Sequence, residues 1–325
     1  MTPEKAEPSS SPPPCVVCGR DDGGKAFESA EPGFSIVACA GCGAARTWPV
    51  VPDGEIGRYY PQTYYGSENV RFNPVFEAMT RWFQSRRARV LQARVPKGGV
   101  VLDVGCGRGF LLKRLRELGY EPHGVELSDS AAWHARHRLT LQVSTGDFLR
   151  GPHRPEHYDA VVFWHTLEHF ARPVETLARA RELMKPGALI AIAVPNFDSL
   201  QARWFGRHWF HLDVPRHYFH FGLRSLEALL AAKGFRVVKS DHFCFEQNPY
   251  GWLQSFYNAL AFDHNFLYSL LKTRSARTIS IRRHPFQAIA VLLLLPPLLL
   301  LSVALTLVEA VLRRGGTIEL YAAKE

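Results

Sequence analysis

From residue 99 onward, short apolar runs alternate with amphipathic stretches, the pattern of a parallel sheet joined by crossover helices. Val100–Val104 predicts a buried strand, and 110–118 a helix ended by Gly119. Residues 123–127 predict a second strand, followed by Ser128, a good helix N-cap. Residues 159–164 form another buried run, then helical spacing over 174–184 is stopped by Lys185-Pro186-Gly187. Residues 188–194 predict a strand ending at Pro195, with 223–233 and 235–239 the next helix and strand. Residues 317–322 have strand chemistry again, and no internal repeat interrupts the pattern.

The remaining segments read differently. Residues 1–14 are rich in Pro and Ser and predict a disordered tail; they lack the basic start and apolar core of a signal peptide, which places the body of the protein in the cytoplasm. A compact cysteine module spans 15–50, and a connector rich in Tyr, Phe and Trp spans 51–96 (Tyr59, Tyr60, Tyr64, Tyr65, Trp82, Phe83), with 74–95 reading as a helix with a basic face. The α/β pattern then covers 97–245 and 315–325, interrupted by an insertion over 246–314.

The chemistry-bearing feature is the turn Val104-Gly105-Cys106-Gly107-Arg108-Gly109, where a buried strand runs into glycines and a helix begins. Backbone amides at such a helix start bind anions, and the glycines let a ligand approach the main chain. Phe110 stands where a dinucleotide fingerprint has its third glycine. Asp103, two residues before Gly105, would repel a pyrophosphate and attract a cationic amino group. On the turn alone, a dinucleotide site and a methyl-donor site both remain open.

The turn resembles the first motif of class I, Rossmann-like S-adenosylmethionine-dependent methyltransferases, and the resemblance continues in order through 97–240 and 316–324. It implies a seven-stranded, mostly parallel sheet with S-adenosylmethionine held by Asp103, Gly105, Gly107, Gly109, Glu126, Leu127, Asp147, Phe148 and Trp164. Glu126 would take the ribose hydroxyls and the Gly146-Asp147-Phe148 loop the adenine amino group. Cys106 is read as a small turn residue, not a nucleophile.

A sulfonium methyl group is already activated, so the protein must mainly align it and remove a proton from a hydroxyl acceptor. His165, Glu168 and His169 follow the fourth strand of this pattern, and four histidines fall within residues 208–220. Histidine titrates near neutrality and suits proton transfer, although any one of them can instead cap a loop. His165 or His217 is the expected base, with His169 beside them. Stretches like Asp213-Val214-Pro215-Arg216-His217 recur in a subgroup of these enzymes, which marks the loop as a substrate wall.

Cys15-x2-Cys18 and Cys39-x2-Cys42 have the spacing of two metal knuckles, predicting a closed structural zinc site, with an iron–sulfur cluster or redox thiols as the alternative. The net charge of +9 favours anionic partners. Yet between Cys15 and Cys42 only Arg20 and Lys25 oppose Asp21, Asp22, Glu28 and Glu31, so this module is not expected to bind nucleic acid. A zinc knuckle ahead of a Tyr-rich connector and such a domain resembles bacterial sugar C-methyltransferases, which carry a further C-terminal domain that is not matched here.

Residues 288–308 carry no charge over a membrane-spanning length, with Pro296-Pro297 near the middle and arginine pairs on both flanks. Both flanks favour the cytoplasm, and a final strand at 317–322 requires both ends on one side. The expectation is an apolar helical hairpin broken at the prolines and re-entering the cytoplasmic face of a membrane; burial on the protein or in a dimer is the alternative. The function expected is methyl transfer to a small or lipid-linked acceptor, a saccharide or envelope precursor. A nucleic-acid methyltransferase and a non-catalytic cofactor-binding scaffold are the competing readings.

Overall fold

The computed structural model describes residues 12–52, 55–60, 72–272 and 274–325. Most of the expected tail, and Tyr64 and Tyr65 of the connector, lie outside the described residues.

Seven strands form the central sheet: β4 (Val100–Val104), β5 (Glu121–Glu126), β6 (Gln142–Thr145), β7 (Tyr158–Trp164), β8 (Met184–Pro195), β10 (Phe235–Asp241) and β11 (Thr317–Lys324). Their order is β10-β11-β8-β7-β4-β5-β6. β11 runs antiparallel to both its neighbours, and the other pairs are parallel. The order reverses beside β4, so the crevice outside the C-terminal ends of β4 and β7 is where such a sheet takes ligands.

Both faces of the sheet are covered, which explains why its strands are continuous apolar runs. On β8, Ile190, Ile192 and Val194 join one core cluster with Leu177 and Leu183 of α4 (Pro173–Leu183) and Leu226 and Leu229 of α6 (Leu223–Ala232). Leu189, Ala191 and Ala193 face the other way. There they meet Leu91 of α1 (Pro74–Gln92) and Leu111 and Leu115 of α2 (Phe110–Glu117), with small residues admitting the helices closely. α3 (Asp129–Leu139) covers the β6 edge through Ala132 and Ala135, and Ser128 caps it by accepting from Ala131 N.

The cysteine module is a second, four-stranded sheet of order β1-β2-β3-β9: β1 (Gly23–Glu28), β2 (Ser35–Cys39), β3 (Ala45–Trp48) and β9 (Phe219–His220). Its last strand comes from the histidine-rich loop, so the module is sewn to the large domain by main-chain pairing.

The insertion is helical: α7 (Asn248–Ala259), α8 (Phe266–Leu271), α9 (Arg274–Arg283) and α10 (Pro285–Val311). The short α5 (Leu200–Phe205) precedes the histidine-rich loop. The expected hairpin is corrected here: α10 is one continuous helix that carries Pro296 and Pro297 inside it. Two prolines remove two main-chain hydrogen bonds and usually break a helix. Here the helix continues through both prolines, and each half is tied to α7. Val291 O accepts from Tyr257 Oη at 2.9 Å, and Glu309 accepts from Trp252 Nε1 at 2.8 Å, both donors belonging to α7. The helix thus lies along the domain with both ends anchored.

Candidate functional site

The β4–α2 turn is built by three left-handed glycines, Gly105 (φ 77°), Gly107 (φ 54°) and Gly109 (φ 81°). A Cβ on Gly105 would lie 2.6 Å from Thr166 Cγ2, and one on Gly109 would lie 2.9 Å from Ala135 Cβ, so packing as well as φ requires glycine there. Around Gly107 nothing lies within 4 Å of that position. Gly107 is therefore the open face of the turn.

Acidic groups surround this face. Glu126, at the end of β5, accepts from Gly107 N at 2.7 Å and Ser128 N at 2.8 Å, while burial raises its pKa. Leu127 beside it is 70% exposed, an apolar side chain at the rim. Asp103 is buried; burial raises its pKa to about 7, the Arg87 guanidinium opposes the rise and Glu126 adds to it. Asp147 accepts from Leu149 N at 2.9 Å and sits 3.6 Å from Arg150 Nε. Phe148 points the other way, its ring packed against Phe163 and Phe170, so only its main chain can face a ligand. Trp164 lies beneath Arg87, whose Cζ is 4.8 Å from the ring, and its buried Nε1 has no partner.

Sequence reasoning missed what closes the site. α1 lies across the turn: Glu77 pairs with Arg108 at 2.9 Å, and Arg87 binds Glu246 through both carboxylate oxygens, at 2.5 and 3.1 Å. Arg86 meets Glu319 of β11 at 3.2 Å. A basic helix face was legible, but no local signal links residue 87 to residue 246. These are long-range contacts.

The three candidate histidines gather around one carboxylate where β7 ends, next to the glycine turn that Thr166 touches. His165 holds φ 54°, with its main-chain N–H donating to Ala193 O at 2.8 Å. Burial, helped by Arg87, lowers its pKa to about 4, so it is a neutral imidazole at physiological pH. Its Nδ1 is 3.6 Å from Glu168 Oε1, and its Nε2 has no partner. Glu168 is 1% exposed, burial raises its pKa to about 7, and neither carboxylate oxygen receives a hydrogen bond. His217 Nε2 lies 4.0 Å from Glu168 Oε1, and burial holds its pKa well below the usual value. The His169 and His217 rings meet edge to face with centroids 4.6 Å apart. His220 instead bonds Thr47 Oγ1 at 3.1 Å and is a structural residue.

The cysteine module supports this cluster. Thr47 Oγ1 of β3 donates to His217 O at 2.6 Å, Thr47 N donates to Tyr218 O at 3.0 Å, and Ile36 and Ala45 pack with Trp209 and Leu212 of the histidine-rich loop. The four cysteine sulfurs lie within 4.8 Å of one another, with Cys15–Cys42 at 3.6 Å and Cys18–Cys39 at 3.5 Å. Bonds of 2.3 Å to a tetrahedral ion imply sulfur–sulfur edges of about 3.8 Å, so the donor set fits such an ion.

Comparison with known proteins agrees with this geometry. A methyltransferase-domain family model matches residues 76–240. An uncharacterised methyltransferase of Geobacillus kaustophilus is 32% identical over 178 residues, covering 51% of this chain and 80% of that protein. A ubiquinone biosynthesis O-methyltransferase of Nitrosospira multiformis is 31% identical over 137 residues, covering 39% of this chain; the chain spans 54% of that enzyme. Among solved structures, a methyltransferase in complex with the Haloferax volcanii Trm112 activator superposes with TM-score 0.50 at 18% identity, over 82% of this chain and 96% of that one.

Proposed function

The chain belongs to the class I S-adenosylmethionine-dependent methyltransferases, and from that premise we propose that it transfers the methyl group to a hydroxyl of a saccharide or lipid-linked acceptor at a membrane surface. The observation that carries the reading is the pair of buried, neutral imidazoles, His165 and His217, beside an open glycine turn. S-adenosylmethionine, when bound, supplies a methyl group on a sulfonium. Asp103 would hold the cationic amino group, Glu126 the ribose hydroxyls, and Leu127 and Asp147 the adenine. His165, uncharged and with Nε2 unpartnered, receives the acceptor's proton, and α1 with its Arg87–Glu246 pair excludes water from above. Relatives whose names record O-methylation support an oxygen acceptor over carbon.

The four cysteines are assigned a structural zinc ion, since four thiolates leave no open coordination position. Membrane attachment rests on α10, which is apolar and long enough to cross a bilayer but is held along α7 at both ends. Phe286, Ile289, Leu292, Leu293, Leu300 and Val311 are exposed along it. α9, immediately before, carries Arg274, Arg277, Arg282 and Arg283 and no acidic residue. An apolar helix beside a basic one suits insertion in the plane of an anionic bilayer, not a crossing.

One experiment tests acceptor and setting together. Full-length protein is incubated with radiolabelled S-adenosylmethionine and separate lipid, soluble saccharide and nucleic-acid fractions. Label in the lipid or saccharide fraction, lost in His165→Gln, is the expected result. Label in nucleic acid, or transfer undiminished in His165→Gln, overturns the acceptor or the base respectively.

A further inference from the structure

We propose that Glu168, His169 and His217 form a second metal site, holding one divalent transition-metal ion with open positions toward the acceptor. This rests on the methyltransferase reading but uses groups which that reading leaves unexplained. The puzzle is Glu168. A carboxylate is buried with no donor to either oxygen, although burying such a group unpaired costs several kcal/mol. No Lys or Arg pairs with it among the described residues: Arg87 is bound to Glu246 and Arg216 to Asp213.

What faces Glu168 instead is imidazole nitrogen, and the hydrogen bonds fix which nitrogen of each ring is already engaged. A main-chain carbonyl only accepts, so His217 Nδ1 is the N–H that donates to His211 O at 2.9 Å. By the same logic His169 Nδ1 donates to Arg216 O at 3.0 Å. In each ring Nε2 is therefore the nitrogen left available to a metal ion. Orientation of a ring by its distal N–H on a backbone carbonyl is the usual support of a metal-ligating histidine.

One ligand atom from each of the three residues lies within 4.8 Å of the others. Bonds of 2.0–2.1 Å require ligand atoms about 3.3 Å apart, a contraction within reach of small side-chain rotations. Two imidazoles and one carboxylate leave open positions and suit zinc, iron(II), cobalt or manganese. The ion would bind the acceptor oxygen and lower its pKa. In the transfer, the O–H proton passes to His165, the new O–CH3 bond forms and the C–S bond of the donor breaks, with no change of oxidation state. His165 Nε2, which has no partner, is placed for that proton, while its Nδ1 lies 3.6 Å from Glu168 Oε1.

The probe is manganese, which cysteine thiolates do not select, so the cysteine site stays silent. Full-length protein is titrated with Mn2+ while free ion is followed by electron paramagnetic resonance, and S-adenosylhomocysteine binding is measured on the same samples by calorimetry. One Mn2+ per chain is expected, weakened at least tenfold in Glu168→Gln and in His169→Ala, with S-adenosylhomocysteine affinity kept within twofold. His169 is half-exposed, so its variant guards against a misfolded Glu168→Gln. No Mn2+ bound, or binding unchanged in both variants, overturns the site while leaving the methyl-donor reading intact. Loss of S-adenosylhomocysteine binding by the wild-type protein overturns the underlying reading instead.

Discussion

Replacing Gly107 by Ala separates ligand contact from fold. Alanine at φ 54° pays the left-handed strain of about 1–2 kcal/mol, offset by roughly 0.4–1 kcal/mol because alanine restricts the unfolded chain. No protein atom lies within 4 Å of the added carbon, so no packing term follows. The net loss is about 1 kcal/mol, a fall of roughly 2 °C in Tm for a domain of this size. A bound methyl donor, however, would occupy that space. A methyl forced into a filled contact costs about 1–3 kcal/mol, which weakens S-adenosylhomocysteine roughly 5- to 150-fold. Gly105→Ala is the contrast: it bears similar strain and also drives its Cβ to 2.6 Å from Thr166, whose branched side chain has little room to retreat. It should lose about 1–3 kcal/mol more stability. Calorimetric titration with S-adenosylhomocysteine and thermal melts on the three proteins decide the matter. If Gly107→Ala melts about 2 °C lower yet binds as tightly as wild type, the open face of the turn is not the ligand site.

Three further expectations follow from the same geometry. The pKa of Asp103, about 7 in the folded protein, lies above its unfolded value. Its contribution to stability is therefore present at acid pH and lost as pH rises through 7, while affinity for a cationic amino group moves oppositely, rising up to pH 7 and then levelling; Asp103→Asn should flatten both profiles in melts and calorimetry. Glu246→Gln leaves Arg87 buried without its anion and should cost about 3–5 kcal/mol in chemical denaturation, whereas a loss under 1 kcal/mol would show that the pair does not hold α1 down. If the four cysteines hold zinc as proposed, Cys18→Ser should release it, measured by metal analysis, and loosen β3 and β9. Because those strands fix His217 through Thr47, turnover should fall at least tenfold while S-adenosylhomocysteine affinity stays within twofold. Unchanged turnover in the zinc-free protein would make the module a bystander.

The sequence by itself determined the elements whose signal is local. Apolar runs with turn residues between them placed six of the seven strands of the large sheet, including the one expected at 317–322 beyond a long insertion and observed as Thr317–Lys324, because a strand buried on both faces needs an unbroken apolar stretch; the four-residue edge strand Gln142–Thr145 was not legible. Glycines at fixed intervals marked the β4–α2 turn, and paired cysteines marked the module in which four sulfurs gather. Tertiary structure alone decided the rest. Pro296 and Pro297 read as a helix break, but α10 continues through them with each half held by a contact from Tyr257 or Trp252, since packing supplies what the lost main-chain bonds do not. Phe148 sits in the ligand motif yet turns its ring into the core. Glu168 was a candidate proton acceptor in the sequence, but only folding buried it among His165, His169 and His217 with no donor to its carboxylate. The lid held by Arg87 and Glu246, and the cysteine module that props the histidine loop through Thr47, join residues more than 150 positions apart. No periodicity records such pairs; they exist only because the sheet brings its strand ends, and the loops leaving them, to one edge.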